Sequence, residues 1–235
     1  MNIFKKEEKE EFDLKPEAIP TGCTKLDKLI GDGLQTKILS HVYGKPGSGK
    51  TNLCISTAIE CAKLGRKVAY IDTEGGFNYV RLRQMCKDDD LINKIVIAQP
   101  KSFEEQLKLV KRLPKLLNTD FSLVVLDSAV SLYRLNVNGS REDIIKFSRK
   151  LAKQAAWLTQ LASEKKVAVI ATNHVYDSFN KKGVSPVGGD TLMYWSKMIL
   201  NIEKKRKNRK ASLVKHPFMP DGKSIKFRIT NSGLE

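Results

Sequence analysis

Residues 44–51 read GKPGSGKT and follow directly on the apolar run ILSHVY at 38–43; a helix-compatible stretch comes next. The octet fits G-x-x-x-x-G-K-[ST]. Strand, glycine-rich loop and helix start, in that order, constrain the chain to an α/β fold with a phosphate cradle at the carboxyl end of a buried strand. The glycines let backbone N–H groups converge on phosphate oxygens, and the helix N-terminus adds the positive end of its dipole. On this pattern Lys50 reaches the β- and γ-phosphates and the Thr51 hydroxyl ligates Mg2+. ATP and Mg2+ are therefore the expected cofactors. Gly44, Lys45, Pro46, Gly47, Ser48, Gly49, Lys50, Thr51 and Asn52 are the expected nucleotide-binding residues.

The rest of the chain agrees with that fold. Apolar, β-rich runs lie at 38–43, 67–72, 94–98, 121–127 and 167–172, with helical stretches near 50–65, 78–86, 102–118 and 141–165 between them. Continuous apolar strands spaced by helices predict a mostly parallel twisted sheet covered on both faces. After about residue 190 the runs at 198–202, 211–214 and 225–229 have no helices between them, which predicts a C-terminal antiparallel extension. KKRKNRK at 204–210 falls at its first turn. The segment TKLDKLIGDG reads as a short helix capped by Thr24 and stopped by Gly31 and Gly33. In the long helix 141–165, Ile144, Phe147, Leu151, Trp157, Leu158 and Leu161 form an apolar stripe, so Trp157 reads as core. Cys54 and Cys61, seven apart, share one buried helix face. Residues 1–20 read as a flexible lead and 21–235 as a single domain.

Two acids compete for the metal. Asp127 ends LVVLD at 123–127 and Asp72 ends VAYID at 68–72. Asp127 is preferred because its strand is the more fully buried in pattern, which leaves Asp72 to order the turn behind it. Glu74 lies just past the strand 67–72, where a carboxylate can accept a proton from an attacking water; a solvated loop acid fits the spacing equally well.

The chain has 42 basic and 26 acidic residues, a net charge of +16. Residues 1–20 carry −2 and residues 201–235 carry +7. Such an excess points to a polyanion, with nucleic acid ahead of membrane. No run of about 18 apolar residues exists, and no membrane span is expected. Four cysteines without a CxxC pair and three scattered histidines argue against structural zinc and fit a reducing, cytoplasmic setting.

GKPGSGKT, then YIDTEGGFNYVRL, LVVLDS, VIATNHV and PVGGDTL, in that order and spacing, resemble the strand-exchange recombinase family of RecA, archaeal RadA and their eukaryotic relatives. The resemblance covers residues 20–230 and implies a RecA-like ATPase core. It makes Glu74, in Thr73–Glu74–Gly75, the water-activating glutamate and Arg81 the arginine that stacks on adenine. It makes Asn173–His174 the γ-phosphate-sensing pair; many relatives have glutamine in the second place, so His174 departs from the pattern. Glu74, Lys50 and His174 are thus the expected catalytic residues.

The resemblance also implies two DNA-lining loops, at 134–141 and 175–187. Arg134, Arg141, Lys181 and Lys182 would neutralise phosphates there, and Tyr176 and Phe179 would lie against bases. Lys204, Lys205, Arg206 and Lys207 would either grip DNA or stay solvated. Any such binding would be nonspecific and salt-sensitive. RadA relatives carry a helix-hairpin-helix domain, for which residues 1–20 are too short, and a docking Phe-x-x-Ala segment, which neither Phe4 nor Phe12 forms. An assisting role beside a RadA-like recombinase, with weak ATP hydrolysis and possible homo-oligomers, is expected ahead of autonomous strand exchange. P-loop signalling ATPases without DNA tend to show paired glutamates after the second strand, where this chain has Glu74 followed by two glycines.

Overall fold

A computed structural model of the chain describes residues 17–134, 141–177 and 184–235. Phe4, Phe12, Phe179, Lys181 and Lys182 lie outside the described residues, as do most of the expected lead and the middle of each expected DNA loop.

The centre is an eight-stranded sheet. Its strands are β1 (Leu39–Tyr43), β2 (Lys67–Asp72), β3 (Ile95–Ala98), β4 (Phe121–Asp127), β5 (Ala168–Asn173), β6 (Met198–Lys205), β7 (Asn208–Lys215) and β8 (Ser224–Phe227). The spatial order is β8-β7-β6-β1-β5-β4-β2-β3. The six strands from β6 to β3 in that order run parallel, whereas β7 pairs antiparallel with both β6 and β8. Strands β5 and β4 are inserted between β1 and β2, so chain segments leaving β1, β2 and β4 open onto one crevice at the carboxyl edge of the sheet. The main helices are α1 (Thr24–Leu29), α2 (Lys50–Lys63), α3 (Tyr79–Met85), α4 (Phe103–Leu116) and α5 (Arg141–Lys165).

Both sheet faces are buried, which is why the parallel strands read as unbroken apolar runs. On one face Val68, Tyr70, Leu123, Val125 and Ile170 pack with Leu53, Cys54, Ala58 and Cys61 of α2. On the other, Ala69, Ile71, Val124, Leu126 and Val169 pack with Phe103 and Val110 of α4 and Leu151, Ala155 and Leu158 of α5. Each fully buried large side chain contributes about 1.5–3 kcal/mol of transfer free energy. Trp157 packs, partly buried, against the second cluster. Phe103, Tyr133 and Phe147 form an aromatic trio with centroids 5.7–6.4 Å apart.

Four local expectations are corrected. Thr24 does not cap α1: the N-cap is Cys23, without a side-chain bond, and the turn is held by the Thr21 hydroxyl and by the Thr21 N–H donating to Asp27. Ile144 is 45% exposed. At about 1.5 Å per residue α5 is far longer than β4, so its first turn overhangs the sheet and packing starts at Phe147. The expected loop 175–187 begins and ends in a hairpin, with Val175–Asp177 antiparallel to Val184–Pro186. The expected strand 225–229 breaks at Arg228; Ile229–Thr230 instead pairs with Gly233–Leu234. No helix among the described residues is long and apolar enough to cross a membrane.

His41 sits on β1 at 0% exposure, and neither ring nitrogen has a hydrogen-bond partner among the described residues. Burial alone pushes its pKa from 6.5 down to about 3. The native ring stays neutral while the unfolded ring takes up a proton below pH 6.5, so the unfolded state binds more protons and acid costs stability. Urea unfolding between pH 6.5 and 3 should show a stability loss from this site of up to about 1.4 kcal/mol per pH unit. His41→Leu should flatten that slope; an unchanged slope would contradict a neutral buried ring.

Candidate functional site

The cradle forms where β1 ends. Gly47 and Gly49 take left-handed φ of +71° and +111°, and Gly49 is the N-cap of α2. Gly44 admits no side chain, because a Cβ there would lie 2.2 Å from the Ile202 carbonyl oxygen of β6. Lys50 folds back into the loop, its Nζ donating to the carbonyls of Gly44 (2.9 Å) and Lys45 (3.3 Å). Burial pulls the Lys50 pKa down, opposed by the charges of Glu74 and Asp127. The buried Ser48 hydroxyl has no partner among the described residues. That hydroxyl lies on the Gly44 side of the loop, 2.8 Å from where a Gly44 Cβ would stand. The cleft is lined instead by Gly47, Gly49, Lys50 and Thr51, and at Gly47 a Cβ would meet nothing within 4 Å among the described residues, so the loop leaves the open cradle that the phosphates its sequence implies would fill.

One cleft, of about 360 Å³, gathers Pro46, Gly47, Gly49, Lys50, Thr51, Asn52, Glu74, Asp127 and His174. Asp127 is buried. Its carboxylate accepts from Thr172 Oγ1 (2.5 Å), Tyr70 Oη (3.0 Å) and the Thr51 hydroxyl. Burial pushes its pKa up, as does Glu74, while those three donors pull it down. No cluster of three or more His, Cys, Asp and Glu among the described residues could hold a metal. An ion at Thr51 and Asp127 therefore needs phosphate oxygens to complete its shell, as Mg2+ on a nucleotide has. Asp72 is occupied elsewhere: it accepts from the N–H groups of Glu74, Gly76 and Phe77 and from Gln99 Nε2, and so orders the turn after β2.

That turn presents Glu74 to the cleft. His174 Nε2 lies 2.6 Å from Glu74 Oε1, and Ser131 Oγ donates to the same oxygen at 2.7 Å. Burial opposes ionisation of Glu74, but bonds from His174, Ser128 and Ser131 outweigh it and hold the pKa at about 2. Glu74 also faces a second cleft, lined by Thr73, Ser131, Leu132 and Arg134. Arg134 ends a short helix, Ser131–Arg134, and Arg141 begins α5, and residues 135–140 of the expected first loop lie outside the described residues. Tyr176 is half exposed on the hairpin strand next to His174.

Arg81 does not line the cleft. Its Nε donates to Asn52 Oδ1 (2.7 Å), and its terminal nitrogens donate to the carbonyls of Thr230 and Asn231 and to Gln84. These bonds engage Nε and both terminal nitrogens. They also pin the C-terminal hairpin whose Ile229 forms a wall of the cleft. Lys204, Lys205, Arg206 and Lys207 are exposed around a two-residue turn. Arg209 of the same basic run lines the cleft instead, and sequence reasoning missed it. Period-two alternation was the available signal: Arg209 shares its strand face with the buried Ala211 and Leu213.

A parallel sheet with a glycine cradle after β1, a buried aspartate ending β4 and a glutamate after β2 defines a RecA-type P-loop ATPase core. The chain belongs to the Rad51 family, whose model matches residues 16–235. That family is one of nucleotide-binding ATPases. The DNA repair and recombination protein RadB of Methanococcus maripaludis strain C5 is 39% identical over 212 residues, 89% of this chain and 96% of the relative. RadB of Methanococcoides burtonii is 34% identical over 221 residues, 93% and 97% of the two chains. A crystal structure of the RadB recombinase superposes with a TM-score of 0.79 at 36% identity, covering 92% of this chain and 98% of that one.

Arg81→Ala should release the C-terminal hairpin. Hydrogen exchange at residues 229–234 should quicken roughly tenfold to a hundredfold, the loss of bonds to a charged donor worth about 1.5–3 kcal/mol. Exchange unchanged there would mean that the clamp contributes nothing.

Proposed function

We propose that this chain binds ATP with Mg2+ in the cleft, binds DNA nonspecifically, and serves DNA repair by homologous recombination as an assistant to a RadA-like recombinase, hydrolysing ATP slowly. The observation that carries the reading is the convergence of Lys50, Thr51, Asp127, Glu74 and His174 on one cleft. The near-complete overlap with proteins named DNA repair and recombination protein RadB supports the repair role.

Each residue has a task that follows from its surroundings. Bound ATP would supply the phosphoanhydride that is cleaved. The cradle amides and the Lys50 ammonium bind the phosphates, and Thr51 and Asp127 hold the magnesium. Glu74 positions water and accepts its proton. A general base works best with a pKa near the working pH. Glu74, held at about 2, is a weak base, which supports slow turnover. His174 touches Glu74 and is followed at once by the hairpin strand Val175–Asp177, so a change at the phosphates can reach the second DNA-facing segment. The net charge of +16 and the exposed Lys204, Lys205, Arg206 and Lys207 support phosphate contacts without sequence readout.

Calorimetry should find that Lys50→Ala abolishes ATP binding or weakens it severely. Glu74→Gln should keep binding and lose turnover. Wild-type turnover on DNA should stay below about one per second, under the median for enzymes. DNA binding at low salt should respond to ATP, and a RadA-like recombinase should co-purify with the chain. Faster turnover, with ATP-driven growth to filament mass in light scattering, would favour autonomous strand exchange and overturn the assisting role.

A further inference from the structure

The basic run 204–210 divides between two environments. Lys204 to Lys207 are exposed at the hairpin turn. Arg209 stands opposite the buried Phe227 on β8, on the strand face that continues into Ala211 and Leu213, and this face packs toward α2. The face runs out of core where the cradle begins, so the side chain emerges over the P-loop. A Cβ placed on Gly49 would lie 3.8 Å from Arg209 Nε and 2.7 Å from Ile229 Cδ1. The left-handed glycine thus leaves the gap that the arginine and isoleucine occupy. Arg209 Nε is buried and has no hydrogen-bond partner among the described residues. The bond recorded for the guanidinium is from Nη1 to the neighbouring Asn208 carbonyl, at 3.2 Å. None of the described salt bridges includes Arg209. A permanent cation with a buried, unused donor, facing a phosphate cradle, lacks an anion.

Charge balance points the same way. Lys50 is the cation of the sequence motif, while Asp127 and Glu74 face the cleft as acids. Glu74 is met by His174, and Asp127 is the acid assigned to the magnesium, which leaves Lys50 as the one motif cation free to meet phosphate oxygens. Arg209 adds a second cation to the same cleft. We propose that Arg209 is a second cationic contact for the polyphosphate of the bound nucleotide, supplied by strand β7 of the chain's own β6–β7 hairpin. The inference rests on the nucleotide-binding reading and assigns to that site a residue outside its motif. The guanidinium fork suits phosphate oxygens in a way that an ammonium does not.

The test is binding by the full chain, measured by calorimetry with ATP and by competition with inorganic tripolyphosphate and with adenosine. Arg209→Gln should weaken ATP and tripolyphosphate alike, roughly tenfold or more, the worth of one charge-assisted bond. It should leave adenosine competition unchanged, and the melting temperature of the nucleotide-free protein should not move. Arg209→Lys should recover part of the loss. Lys153→Gln, an exposed charge change on α5, should bind as wild type. Arg209→Gln with wild-type affinity, beside a Lys50→Ala variant that has lost it, would overturn this inference alone. Lys50→Ala with wild-type affinity would take down the nucleotide-binding reading and this inference with it. A lowered melting temperature in Arg209→Gln, with equal losses for adenosine and tripolyphosphate, would make the arginine structural and also overturn the proposal.

Discussion

The burial of the Asp127 carboxylate beside Lys50 is the arrangement on which the rest of the molecule depends. Taking a carboxylate and an ammonium out of water costs several kcal/mol per ion, which their attraction offsets only when further hydrogen bonds satisfy them. Here the compensation comes from separate elements. Tyr70 belongs to β2, Thr172 to β5 and Thr51 to α2, and each donates to the one carboxylate on β4. The Lys50 ammonium is met by two carbonyls of the loop it follows. The pKa directions record the balance: burial pushes the acid up and the lysine down, and the donors and opposite charges push back. Only a sheet that places β5 and β4 between β1 and β2 lets these groups meet.

Around that centre the C-terminal strands do more than extend the sheet. β6 supplies the Ile202 carbonyl against which Gly44 is pressed. β7 sends Arg209 over Gly49, and the last hairpin brings Ile229 to the same place. Arg81 on α3 ties that hairpin to Asn52 on α2. The cradle is thereby enclosed by segments distant in the chain, while Lys50 braces it from within through the Gly44 and Lys45 carbonyls. Two buried glutamines act similarly on the opposite face: Gln106 of α4 and Gln154 of α5 bond each other and both donate to the Ala129 carbonyl just after β4.

Much of this was legible in order of residues. The octet 44–51, the apolar runs ending in Asp72 and Asp127, and Glu74 two places past a strand carried the cleft's main groups. Those features are local, and the physics that selects them is local: a left-handed glycine, a donor at a helix start, an acid at a strand end. The choice of Asp127 over Asp72 as the cleft acid matches where the two side chains lie, since Asp72 is consumed by the N–H groups of its own turn. What misled was also local reasoning. Thr24 had the right chemistry for a cap, but its neighbour Thr21 held the turn. Ile144 had the right spacing, but the helix outran the sheet. Polar residues at 175–187 read as a loop, although strand pairing at both ends satisfied the backbone.

By itself the sequence determined the sheet's parallel core, the cradle and the identity of the acids, because period, glycine placement and strand-end position are written in neighbouring residues. The tertiary structure alone decided that Glu74 is held by His174, one hundred residues away, that Arg81 clamps the chain's end, and that Arg209 leaves its basic run to face the cleft. These depend on strand order and register, which bring together groups far apart in the chain, and no local pattern encodes such distances.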